Sequence, residues 1–357
     1  MTHQSWPGVR RRRDSQPSIH LPRDVYLPGM NTAASAFSRF DFDAKKSSLV
    51  AIARPPIRAQ ARSTSAVNPG GETALLIFSA MLRHTAYGKS QVRLVQVKRN
   101  GNRDDLRDLA VSIRFEGDYD ASYAEGDNRD VLPTDTMKNT VYALAAQQPV
   151  KDPESFALRL CLHFLEGNPR LQRATVDLVE HHWHRIDIGE REHGQAFIRR
   201  GPDTRLATVI AGRHQATVTS GIDGLLIMKT ADSAFANFRR DEWTTLPETR
   251  DRLLATSLTA TWTYGDPDIP FEPAWRAVRQ QLLTCFAEHQ SESVQHTLYA
   301  MGQAVLDEIA AVMSITLVMP NRHHLPVDLG RLGLENHNEI FVATDEPYGL
   351  IEATLTR

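Results

Sequence analysis

The chain has 357 residues, 41% hydrophobic and 24% charged, with a net charge of −2 when histidine is neutral. That composition fits a soluble globular protein with room for two modest domains, and it lacks the basic excess that nucleic acid or an anionic membrane would call for. No apolar run approaches the roughly 18 residues of a membrane span. The run Arg10–Arg13 leads into Asp14 and Ser15 rather than an apolar signal core.

Residues 1–80 are rich in Arg, Pro, Ser and Ala without a sustained period, and are expected to form a disordered extension. Two units are expected after it, 81–202 and 203–357. From Gln91 to Glu116 the pattern predicts a hairpin around Asn100-Gly101, its second strand alternating Leu109, Val111, Ile113 and Phe115 with polar or small residues. A helix follows Pro133, with Met137, Val141 and Leu144 on one face. A second opens at Asp152-Pro153, a capping residue before proline at the first helical position, and carries Phe156, Leu160 and Phe164 on one stripe. Strands are expected around Thr175–Trp183 and Gln195–Arg199.

The order then recurs. Strand-like stretches lie at Leu206–Ala211, Gly224–Lys229 and Leu258–Tyr264. Two helices follow, one carrying Trp275, Val278, Leu282 and Phe286, the other Val294, Leu298, Met301 and Val305. Next comes a strand with Met313, Ile315, Leu317 and Met319 on one face, and strands near Ile340 and Leu350 close the chain. Strand pair, helix pair, strand pair, twice over, is an α+β pattern with two similar units. The two cysteines, Cys161 and Cys285, fall in apolar helical stretches and read as buried thiols.

Two polar clusters stand out on their own residues. Asn321 and His323 continue the odd-numbered face of the strand from Met313, so an extended chain points both the same way; two polar groups at a strand end beside a loop are the plainer reading. His181, His182 and His184 invite a metal, but on a strand His181 faces away from the other two, which suits one ion poorly. No dinucleotide-binding glycine fingerprint and no cysteine pair occurs.

Five short motifs appear in register: Tyr87-Gly88-Lys89, Thr134-Asp135-Thr136-Met137-Lys138-Asn139-Thr140, Phe235 to Leu246 with Arg252 after it, Ser293-Val294-Gln295, and Pro320-Asn321-Arg322-His323. Together they resemble the uricase (urate oxidase) family over nearly all of Tyr87 to Leu350. The resemblance implies two tandem tunnelling-fold (T-fold) units, antiparallel sheets backed by helices. Four chains would form a β-walled tunnel, a homotetramer with active sites between subunits. It implies oxidation of urate by O2 with no cofactor and no metal, O2 being a co-substrate. A zinc-dependent pterin-pathway enzyme on the same fold, using His163 with the 181–184 cluster, is one rival. A non-catalytic purine-binding relative is the other.

The same resemblance assigns roles. Arg252 grips one edge of the flat anion, as a rigid guanidinium fork can, and Gln295 offers a donor and an acceptor to the opposite edge. Phe235 is the stacking platform, with Leu246 and Val294 as apolar liners. Lys89 is the base, which requires it to shed its proton, and Thr134 relays that proton; Thr134 is also a candidate helix cap. Asp135 orients the ring or the relay. Asn321 and Thr134 hold dioxygen, and His323 passes a proton to Lys89. The sequence ends Leu355-Thr356-Arg357 rather than in a Ser-Lys-Leu-type peroxisomal address, so a cytoplasmic location is expected.

Overall fold

The computed structural model describes residues 81–357; the extension expected at 1–80 lies outside the described residues. Strand β1 (Tyr87–Lys98) turns through Gly101, at a φ of 65°, into β2 (Asp105–Gly117), and the two pair antiparallel. Asn-Gly suits such a turn because glycine tolerates the left-handed backbone. After a short helix α1 (Asp120–Ala124) come α2 (Thr134–Gln147) and α3 (Pro153–Gly167). Asp152 caps α3 by accepting the Ser155 N–H at 2.8 Å, with Pro153 in the first turn, as the sequence predicts.

Strand β3 (Leu171–His181) returns to the sheet, and a side hairpin, β4 (His184–Ile188) with β5 (Arg191–Ile198), leaves it again. The strand expected at Gln195–Arg199 belongs to this side hairpin rather than to the main sheet. Then come β6 (Thr204–Ala211), β7 (Ala216–Lys229), β8 (Leu254–Tyr264), α4 (Phe271–Glu288), α5 (Val294–Glu308) and β9 (Val312–Arg322). A two-stranded ribbon of β10 (His324–Pro326) and β11 (Phe341–Ala343) precedes the last strand, β12 (Gly349–Thr356).

Eight strands form one antiparallel sheet in the order β1-β2-β3-β6-β7-β8-β9-β12. Two strands, two helices and two strands make the first four positions, and the same succession makes the last four. The midpoint is the turn at 212–215, because β6 bonds to β3 on one side and to β7 on the other.

The helices cover one face. Leu109, Val111, Ile113 and Phe115 are buried in a core shared with Phe156, Leu160 and Phe164 of α3. Leu258, Ala260, Trp262, Ile315, Leu317 and Met319 line the same core in the second half. Met313 departs from the predicted face: the register shifts between Thr263 and Tyr264, Val312 takes the buried place, and Met313 is exposed. Where the two halves meet, Arg205 of β6 forks onto Glu154 of α3 at 2.8 and 3.3 Å and reaches Glu272 of α4 at 2.6 Å. Burial works against charge on Glu272, but Arg205, with Arg276 and Arg107, holds its carboxyl at about 2. Ile210, Leu226, Met313 and Leu350, by contrast, are exposed. Among the described residues, no helix is long and apolar enough to cross a membrane.

Candidate active site

The predicted site residues fall into two groups on different parts of the sheet. The first is at the β1 edge. Gly88 has no room for a side chain, since a Cβ there would sit 1.9 Å from the Ile113 carbonyl oxygen. Immediately afterwards the register shifts between Lys89 and Val92, with Gln91 at a φ of 57° and its N–H on the Ser112 hydroxyl at 3.1 Å. This bulge sets the direction of the half-buried Lys89.

The Tyr87 hydroxyl accepts the Leu132 N–H at 3.1 Å, tying the approach to α2 against the same strand. Pro133, not Thr134, takes the cap position of α2, and no side chain caps that end. Thr134 is thus the first helical residue, half-buried, and the capping role weighed from the sequence is not the one it has. Asp135 is exposed. It accepts from Lys138 and, at 3.0 Å, from Asn139. The Lys138 contact above all, with Lys89 adding at longer range, holds its carboxyl below the usual range. Lys89, Thr134 and Asp135 therefore share one neighbourhood.

The second group gathers around the long connection from β7 to β8. That connection is laced in place by backbone bonds. Phe235 and Thr249 exchange N–H to carbonyl bonds at 2.8 and 3.0 Å, Arg252 donates to Ser233 at 2.9 Å, and Ala234 donates to Ser291 at 2.7 Å. Ser291 leads into α5, whose Ser293 caps it by accepting the His296 N–H at 3.1 Å. Phe235, Arg252, Val294 and Gln295 are so drawn to one corner although they lie up to sixty residues apart in sequence. Gln295 is exposed on the first turn of α5, Val294 is buried in the core, and Leu246 is exposed.

Arg252 is the most informative member. Its Cζ lies 5.3 Å from the centre of the Phe235 ring, which itself stacks on Phe238 at 4.9 Å. The residue as a whole is half-buried, but its Nε is buried with no hydrogen-bond partner among the described residues. Burial alone pushes its pKa down. A buried N–H without a partner costs about 1–3 kcal/mol unless a ligand completes it. Three buried hydroxyls in the same half, Ser233, Thr256 and Thr297, also lack partners.

Asn321 lies on the buried face of β9 with Ile315, Leu317 and Met319. Its Nδ2 is 3.5 Å from Nδ1 of His323, just past the strand end, and the His323 carbonyl accepts the Thr344 N–H at 2.9 Å. The structure thus brings Asn321 and His323 together. It keeps Lys89 and His323 apart within one chain: β1 and β9 are six strand spacings apart in the sheet, roughly 29 Å at about 4.8 Å each.

The histidine cluster disperses. His181 meets Arg199 at 3.4 Å, His182 lies against Trp275 with ring centres 5.3 Å apart, and His184 is exposed. Among the described residues no group of three or more metal-ligating side chains forms. A cavity of about 950 Å³ lies near these histidines, but none of the predicted site residues lines it. Its charges largely meet one another, as in Arg107 with Glu180 and Arg205 with Glu272. A smaller hollow of about 350 Å³ borders the second group, at Asp232, Ala234, Ser291 and their neighbours.

A half-buried guanidinium with an unpartnered Nε therefore lies over an aromatic ring on an antiparallel α+β scaffold. The chain belongs to the uricase family, whose profile matches residues 85–210 and 218–352. It is 42% identical over 278 residues to the uricase of Arthrobacter globiformis, covering 78% of this chain and 90% of that protein. It is 36% identical over 279 residues to the Danio rerio uricase, covering 76% and 94%. The crystal structure of the Arthrobacter globiformis uricase superposes with a TM-score of 0.75 at 40% identity, over 78% of this chain and 96% of that one.

Proposed function

We propose that this chain catalyses the cofactor-independent oxidation of urate, converting urate, O2 and water to 5-hydroxyisourate and H2O2. Two electrons leave the deprotonated purine and reduce O2 to peroxide; water then adds at C5. The substrate is itself the reductant, so neither metal nor flavin is assigned. Arg252 and Gln295 hold opposite edges of the ring, Phe235 stacks on it, and Leu246 and Val294 line it. Asp135 orients the ring or the proton relay. Thr134 and Asn321 hold the oxygen species above it, while Lys89, Thr134 and His323 move the protons.

The single observation that carries this reading is the half-buried Arg252, whose buried Nε has no partner among the described residues and whose guanidinium lies beside Phe235, as a planar anion would demand. The strand order supports an assembly in which one site draws on two copies. Lys89 and Thr134-Asp135 sit at the β1 edge, and the Arg252 and Asn321 groups belong to the other half of the sheet. On this reading the site is completed by a second copy, within a homotetramer of tandem tunnelling-fold units whose sheets join into a tunnel wall. The test is urate turnover by the purified full chain without additives, followed by near-ultraviolet loss of urate and appearance of peroxide. Turnover that persists with a chelator is expected; turnover that begins only when metal or flavin is supplied would overturn the reading.

A further inference from the structure

On β8, the buried face runs Leu254, Thr256, Leu258, Ala260, Trp262 and Tyr264. Thr256 is fully buried at 0% exposure, yet its Oγ1 has no hydrogen-bond partner among the described residues. Valine has the same shape and would fill an apolar position without an unmet hydroxyl, so packing does not account for threonine here.

The position does. Thr256 is the register partner of Asn321 on β9, and both side chains are buried on one face. Directly paired residues on one face of an antiparallel pair have Cβ atoms about 4.5–5.5 Å apart, within reach of a hydroxyl and an amide. On its other side Asn321 pairs with Gly349 of β12, which has no side chain to offer. Of the two residues paired directly with Asn321 among the described strands, Thr256 is the one with a side chain able to hydrogen-bond its amide. That amide has a single side-chain contact among the described residues, Nδ2 to His323 Nδ1 at the long distance of 3.5 Å.

We infer that Thr256 is a positioning residue for oxygen: its hydroxyl, unpartnered in the free chain, stands opposite Asn321 where a side-chain rotation on oxygen binding lets it donate to Oδ1, and so fixes which end of the amide, the Nδ2 donor, faces the oxygen species. An amide has an acceptor and a donor end of nearly equal shape, and a neighbour is needed to choose between them. The inference rests on the assignment of Asn321 to the oxygen site made above.

The test is steady-state kinetics of the full chain with O2 varied at saturating urate and urate varied at fixed O2. Variants are Thr256→Val, Thr256→Ala, Thr256→Ser and Asn321→Ala. Removing the hydroxyl in either the valine or the alanine variant is expected to raise the KM for O2 roughly tenfold, as loss of one orienting hydrogen bond would. Affinity for an unreactive urate analogue is expected to stay within about twofold, and serine to restore the parent value, for the same reason. If Asn321→Ala raises the O2 KM and both hydroxyl-free variants leave it unchanged, the role of Thr256 is overturned alone. Should Asn321→Ala leave the O2 KM untouched, the oxygen assignment itself falls and the inference with it. Equal loss of O2 and urate affinity in valine and serine variants would mark Thr256 as a packing residue and also overturn the inference.

Discussion

The two groups of site residues differ in how far their polar atoms are matched within the chain. At the β1 edge, Lys89, Thr134 and Asp135 are half-buried or exposed, and Asp135 already has Lys138 and Asn139 as partners. In the second half, Nε of the half-buried Arg252 and the buried hydroxyls of Ser233, Thr256 and Thr297 have no hydrogen-bond partner among the described residues. A buried polar atom left unmatched in the chain is one at which a hydrogen bond to a ligand counts for more. On the reading proposed above, the Arg252 corner serves ring binding, while the β1 edge supplies Lys89 and Thr134 to a proton path that His323 joins from the second half.

Substitutions at the two ends should then fail in different ways. The largest effect is expected for Arg252→Ala, with kcat/KM for urate falling on the order of a hundredfold or more and analogue binding lost in parallel, because a charge-assisted fork is removed. Lysine in its place should not restore binding, since an ammonium cannot supply the fork; a rescue seen by calorimetric titration would erase the distinction between the two ends. Lys89→Met is expected to cost roughly a hundredfold in kcat while analogue affinity changes less than about threefold. Equal losses in both would make Lys89 a wall of the pocket. The smallest effect belongs to Ser293→Ala, which removes the cap of α5 and should lower stability by about 0.5–2 kcal/mol, with a modest rise in urate KM through the neighbouring Gln295. A thermal melt showing no change would mean that the backbone lacing at Ser291 alone positions that helix.

Much of this architecture could be read from periodicity. Leu109 to Phe115 alternate because one face of β2 meets α3, and the capping signature Asp152-Pro153 starts that helix where expected. Periodicity failed where the pairing slips. Met313 sits on the wrong side because of a register shift against β8, a two-strand event invisible in one strand's sequence. Thr134 looked like a cap, but Pro133 preorganises the entrance and takes that place. The Asn321–His323 proximity was legible from alternation alone, whereas Thr256 was not: its meaning lies in standing opposite Asn321, sixty-five positions later in the chain.

The order of strands along the sheet has a consequence for inheritance and dosage. If every site takes Lys89 from one copy and Arg252 from another, a pair made from a Lys89-defective chain and an Arg252-defective chain contains one site with both faults and one with none. Two inactive alleles mixed at random in equal amounts would regain about a quarter of the parent sites, as two-fold symmetric pairing requires. A single allele carrying both faults would instead spoil both sites of any mixed pair. The same protein would therefore show complementation between alleles in one arrangement and dominance in the other.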